Sequence, residues 1–288
     1  MSIKPTLDTV LVKSPHRRET YTQEQLTEFA RCADPVSGPM YFMDNFFYIQ
    51  HPTRGKMLYQ SFEYQKRLIA NYHNSRFSIS LMPRQTGKST SAAGYLLWYA
   101  MFVPDATILV AAHKYLGAQE IMQRIRYAYE LCPNHIRAGA TSYNKGSLEF
   151  DNGSRIVSQT TTENTGRGMS ITLLYLDEFA FVRPTIAREF WTSITPTLST
   201  GGKAIITSTP NSDEDQFALS GKVPTKLKTS TATLGPMGWA STALKRFVHS
   251  GVNTQIEMTP GPKNNEHSWA KNDSAEKWTA NLLSTMRP

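Results

Sequence analysis

The sequence predicts an α/β fold: a central, mostly parallel sheet flanked by helices, followed by an irregular carboxy-terminal tail. Three observations predict it. Between residues 61 and 211, short apolar runs alternate with longer segments of helical spacing. Those runs are continuous rather than alternately polar, so the strands they form are buried on both faces of the sheet. From residue 220 onward the alternation stops.

Residues 1 to 60 are mixed in texture and aromatic around "YFMDNFFYIQHP"; they read as an extension packing on a core that spans 61 to 219. In the core, "FEYQKRLIANYH" has helical spacing, "FSISLM" reads as a strand, and "KSTSAAGYLLWYAMFV" is a helix stopped by Pro104-Asp105. "ATILVAA" is a buried strand and "GAQEIMQRIRYAYELC" an amphipathic helix. "SLEF" and "SRIVSQ" flank Asp151-Asn152-Gly153, where Asn-Gly supplies the positive backbone angles of a tight hairpin. "ITLLYL" and "KAIITST" are apolar strands separated by a helical stretch near "PTIAREFWTSITPTL".

The bulk numbers exclude several classes. A chain of 288 residues, 40% hydrophobic, is long enough for a sizeable core. Its longest apolar run, "YLLWYAMFV", is about half the roughly 18 residues a membrane span needs, and no leader opens the chain, so no membrane role is expected. Two cysteines, Cys32 and Cys132, form neither a metal-ligand pair nor a disulfide framework, which fits a reducing cytoplasm. The net charge of +8 invites a nucleic-acid partner, but nine Lys or Arg against four acids lie from Ser220 onward, so the tail carries most of it.

Chemistry enters at "SLMPRQTGKST". A phosphate-binding loop requires a strand, a tight turn of backbone N–H groups, a lysine for the terminal phosphates, a hydroxyl for Mg²⁺ and a helix starting there. "FSISLM", "PRQTG", Lys88, Ser89 and the helix from Thr90 supply these in order, although Met82 stands where the usual motif has its first glycine. About 90 positions downstream, Asp177 and Glu178 follow the apolar run of "LLYLDEFAF". In phosphate-loop enzymes a strand end parallel to the loop strand carries an Asp near Mg²⁺, and an adjacent Glu deprotonates the attacking water. A third strand ends in Thr207, Ser208 and Thr209, hydroxyls able to sense a catalytic carboxylate or γ-phosphate and pass its state on. Gln65, upstream of the loop, offers an amide to an adenine edge with Tyr64 as a stacking ring; the plain alternative is an exposed helix glutamine. Arg84, inside the loop, either lies over the γ-phosphate as an arginine finger does or pairs with a carboxylate.

Together, "PRQTGKST", "VAAHK", "YNKGSLEFDNGS", "TGRGMSITLLYLDEFAF" and "ITSTPNS" closely resemble the ATPase domain of the large terminase subunit of tailed bacteriophages, a DNA-packaging motor. The likeness runs from about Asp34 to Ser212, and the Arg-Gln-x-Gly-Lys-Ser form without the first glycine is the variant typical of that family. It implies a RecA-like P-loop NTPase that binds ATP and Mg²⁺. Arg84, Gln85, Thr86, Gly87, Lys88, Ser89 and Thr90 would hold phosphates, with Ser89 and Asp177 at the metal, Glu178 and Arg84 catalytic, and Gln65 near the adenine. Thr207, Ser208 and Thr209 would couple hydrolysis to motion, and Arg167 would approach a neighbouring subunit's nucleotide. The implied partners are double-stranded DNA, a portal protein, a small terminase subunit and further copies in a ring on the procapsid, in the host cell cytoplasm.

The tail departs from the family, which adds a nuclease domain rich in Asp; residues 220 to 288 hold too few acids to build one. Back-translated and read from the third base of each codon, "NNEHSWAKNDSAEKW" permits "QRAQLGEERFRREM", a string of better helical propensity. A frame shift near Ser220 is therefore expected, leaving a non-native tail. Two other functions compete: a helicase-like ATPase, disfavoured because no second lobe follows Pro210, and a catalytically inactive binding module.

Overall fold

The structure, a computed structural model, describes residues 11–17 and 19–211, and by backbone alone two short strands at Thr233–Leu234 and Glu257–Met258. The remainder of the tail, including the expected shift of frame, lies outside the described residues. Among the described residues two helices come first, α1 (Gln23–Ala33) and α2 (Gly38–Asn45), α1 starting at a capping box between Thr22 and Gln25. An antiparallel hairpin follows, β1 (Tyr48–His51) and β2 (Gly55–Leu58). The core then runs α3 (Glu63–Asn74), β3 (Phe77–Leu81), α4 (Lys88–Phe102), β4 (Thr107–Ala112) and α5 (Tyr115–Leu131). It continues with β5 (Ala140–Tyr143), β6 (Ser147–Phe150), β7 (Arg155–Thr160), β8 (Leu173–Asp177), α6 (Pro184–Leu198) and β9 (Lys203–Ser208). Thr233–Leu234 and Glu257–Met258 are β10 and β11.

All strands from β3 onward join one sheet in the order β11-β10-β3-β9-β8-β4-β7-β6-β5. It is parallel from β11 to β7 and antiparallel from β7 to β5, a mostly parallel sheet as the sequence predicts. Successive strand residues serve opposite faces. Ile108, Val110, Leu173, Tyr175 and Ile205 join a core shared with α2, α3, α4 and α5, whereas Leu109, Ala111, Leu174, Leu176 and Ile206 join a second core under α6. Both faces are therefore covered, the physical reason the strands read as continuous apolar runs.

The amino-terminal segment supplies part of the first core through Cys32, Phe42, Met43 and Phe47, which the sequence pattern alone does not resolve into helices. Most of α4 is buried on every side, and Gly94 lets α2 lie against it: a Cβ there would come within 2.7 Å of Met43 Cε. The Asp151-Asn152-Gly153 turn joins β6 to β7 as expected, but of the Asn-Gly pair only Gly153 takes a positive φ, 82°; the Asn152 side chain instead donates to the carbonyls of Ala100 and Met101 at 3.0 and 3.2 Å, closing the end of α4. Among the described residues, no helix is long and apolar enough to cross a membrane.

Candidate active site

Strands β3, β9, β8 and β4 end side by side, and the sequence-predicted loop, acids and hydroxyls lie at that carboxyl edge, where ligands of open α/β sheets bind. Met82 extends β3 by one residue: its N–H donates to Ser208 O at 3.0 Å and its side chain is buried in the first core. The backbone turns only from Pro83, so a glycine at 82 has no conformational task. The turn is closed by the Thr86 hydroxyl, which donates to Pro83 O at 2.9 Å. Gln85 and Gly87 both take positive φ, 62° and 74°. Left-handed residues interleaved with ordinary ones turn successive N–H groups toward one anion. Gly87 caps α4, which begins at Lys88, the first residue of the helical run "KSTSAAGYLLWYAMFV".

The acids meet this loop. Lys88 Nζ donates to Glu178 Oε1 at 2.5 Å, and Ser89 Oγ stands 3.3 and 3.4 Å from the two Asp177 oxygens. They do so across an intervening strand rather than a neighbouring one, because β9 lies between β3 and β8. That strand brings the hydroxyls with it: Thr207 Oγ1 donates to Asp177 Oδ1 at 2.9 Å, and the Thr209 N–H and Oγ1 both donate to Glu178 Oε2 at 2.9 Å. Tyr175 OH, fully buried behind Asp177, donates to its Oδ1 at 3.0 Å. The pattern of the sequence does not single out this tyrosine, because it reads as one more apolar strand residue.

The two carboxylates differ in environment. Burial pushes the Asp177 carboxyl above the ordinary value, against the pull of Lys88 and with a further push from Glu178. Burial also pushes Glu178 upward, but the ammonium of Lys88 and the donors of Thr209 outweigh it and hold Glu178 below the ordinary value. Glu178 itself sits in the left-handed region, φ 51° and ψ 43°, a conformation that costs a non-glycine residue about 1 kcal/mol and recurs at functional sites.

Arg84 and Gln85 are exposed on the rim of a cleft of about 510 Å³ that also holds Lys88, Glu178 and Thr209. His113 and Lys114, at the end of "VAAHK", close its far wall; they lie there because Ala112 pairs with Asp177. The other predicted residues fall outside it. Thr90 faces away, accepting from Arg124 Nη1 at 3.3 Å and lining a second cavity of about 430 Å³ between β1 and α5. Arg167 is exposed on the β7–β8 connection and does not line the cleft of its own chain. Gln65 is beside the loop, but it is buried, not an exposed helix residue, and both ends of its amide are engaged: Oε1 accepts from Phe62 N at 3.0 Å and Nε2 donates to Thr86 O at 2.9 Å.

The family model for the terminase large subunit, T4likevirus-type, N-terminal, matches residues 79–282. The chain belongs to the large terminase family. The match starts in the loop strand and continues over most of the tail for which a shifted frame is expected, and it lends that expectation no support. Among solved structures, the large terminase of bacteriophage HK97 superposes with a TM-score of 0.54 at 18% identity, over 70% of this chain and 46% of that one. A variant of the large terminase ATPase domain of Thermus phage P74-26 gives 0.49 at 19% identity, over 70% and 82%. The HK97 likeness is one of fold, the RecA-like arrangement expected from the sequence, and the chain aligns with less than half of that protein.

Proposed function

We propose that this terminase family member hydrolyses ATP in a Mg²⁺-dependent reaction to drive double-stranded DNA into a procapsid. The observation that carries it is the meeting of Lys88 with Glu178 and of Ser89 with Asp177 at one strand edge. The donor set suits Mg²⁺: among the described residues no group of three or more His, Cys, Asp or Glu gathers, and Mg²⁺ binds through one or two carboxylates plus substrate phosphates and water. Ser89 and Asp177 would hold it, and it would neutralise charge developing on the phosphates.

The chain's own groups do the rest. Lys88 leaves Glu178 for the terminal phosphates, and the loop N–H groups take the oxygens between them. Glu178, kept ionised and aimed by Thr209, accepts the proton of a water attacking the γ-phosphorus as the bond to ADP breaks. Arg84, without an ionic partner among the described residues, swings over the transferred group rather than pairing with a carboxylate. Thr207, Ser208 and Thr209, bonded to both acids, move with them and carry the state of the site along β9. Exposed Arg167 reaches the nucleotide of the next copy in a ring, with the portal protein and small terminase subunit as further partners in the host cytoplasm. The test is phosphate release with and without double-stranded DNA: Lys88→Ala abolishes binding and turnover, and unchanged turnover in Lys88→Ala refutes the assignment.

A further inference from the structure

The residue expected to read the adenine has its amide committed elsewhere. Thr86 O accepts from Gln65 Nε2 and from Tyr64 OH, each at 2.9 Å. Gln65 Nε2 also reaches Tyr64 OH at 3.3 Å, while Gln65 Oε1 accepts from Phe62 N at 3.0 Å and caps the start of α3. Gln65 is 4% exposed, so no solvent replaces these bonds. The amide also packs against the loop backbone: a Cβ on Gly87 would come within 2.6 Å of Gln65 Nε2. Phe62 stacks on Tyr64 at 5.8 Å and 7°, which fixes the direction of the phenol.

A trans peptide is planar, and its C=O and N–H point in opposite directions. Two donors on α3 holding Thr86 O therefore turn the N–H of Gly87 away from α3, toward the phosphates. Gly87 is the residue at which this plane would otherwise rotate most easily, because glycine tolerates either sign of φ. We infer that Tyr64 and Gln65 are positioning residues that preset the phosphate loop through the carbonyl of Thr86, so that Gln65 governs the affinity for the triphosphate and not the choice of base. This rests on the phosphate-site reading above and deepens it: the recognised chemistry is a polyphosphate, whatever base it carries.

The test measures the affinity of the full chain for ATP, GTP and inorganic tripolyphosphate, each with Mg²⁺, by calorimetry. Removing one neutral hydrogen bond is worth about fivefold, so Tyr64→Phe weakens all three by roughly that factor, and Gln65→Leu, which also leaves Thr86 O less satisfied, weakens all three by about tenfold or more. The ratio of ATP to GTP affinity stays at its wild-type value. A change in that ratio with tripolyphosphate binding intact would overturn the proposal in favour of base reading. A lowered thermal midpoint with unchanged affinities, in either variant, would reduce the pair to a folding role and equally overturn it. Tyr64→Phe, which leaves the buried amide alone, carries the test if Gln65→Leu does not fold. Lys88→Ala is the control: tripolyphosphate binding that survives it would overturn the phosphate-site reading beneath.

Discussion

Replacing Glu178 with Gln separates binding from chemistry, because Glu178 holds Lys88 before any nucleotide arrives. The pair is 2.5 Å long with side chains 8% and 28% exposed. At that depth, partly open to water, such a pair is worth about 1 kcal/mol. ATP must detach Lys88 from Glu178 to use it, so neutralising Glu178 removes that opposition, and ATP binds about fivefold more tightly to Glu178→Gln. The same change removes the group that takes the proton of water, a role worth roughly 10² to 10⁴ in rate. Two donors at Oε2, from Thr209, also lose an anionic acceptor. Fluorescent-nucleotide titration and phosphate release on the two proteins read both quantities. Affinity up with turnover down bears out the assignment; turnover within threefold of wild type, or affinity falling in step with turnover, would refute it.

Three further outcomes follow from the same contacts. Thr207→Val removes a donor to buried Asp177 while keeping shape, and should lower stability by about 1 to 2 kcal/mol in a denaturant melt and weaken Mg²⁺-supported nucleotide binding. Gly87→Ala combines a left-handed φ of 74° with a 2.6 Å approach to Gln65 Nε2, so nucleotide affinity should fall at least tenfold in the titration, by more than backbone strain of about 1 kcal/mol alone explains. His73, partly exposed, is held below the ordinary histidine value of 6.5 by burial, against the hydrogen bond it makes to Pro35 O. Its folded value is the lower one, so as pH falls below about 6.5 the unfolded chain takes the proton first and stability drops until the folded value is passed; His73→Gln should flatten that slope in thermal midpoints read between pH 7 and 5.

The site was legible where its chemistry is local. The loop, its strand and its helix are contiguous, and Asp177-Glu178 and Thr207 to Thr209 announce themselves as polar residues ending apolar runs. The helical stretch expected near "PTIAREFWTSITPTL" is α6, Pro184–Leu198, with Pro184 in its first turn, where the missing N–H costs nothing. What sequence order does not carry is adjacency: β9 comes last of the core strands yet inserts between β3 and β8, and this is why its hydroxyls reach both acids. The same holds for His113 and Lys114, whose place in the cleft follows from β4 lying beside β8. Thr90 was misplaced for a different reason, helical geometry turning it toward α5 one residue after Ser89 faces Asp177. The burial of Cys32, Phe42 and Phe47 was hidden because α1, α2 and the β1–β2 hairpin are short and mixed in composition.

The most direct measurement is a structure of the chain with Mg²⁺ and a non-hydrolysable ATP analogue. Lys88 Nζ should then have left Glu178 for the terminal phosphates, with the cation seated between Ser89 and Asp177 and Thr209 still holding the freed glutamate. A bound triphosphate with the Lys88–Glu178 contact intact, or one lodged away from the end of β3, would contradict the proposed catalytic centre.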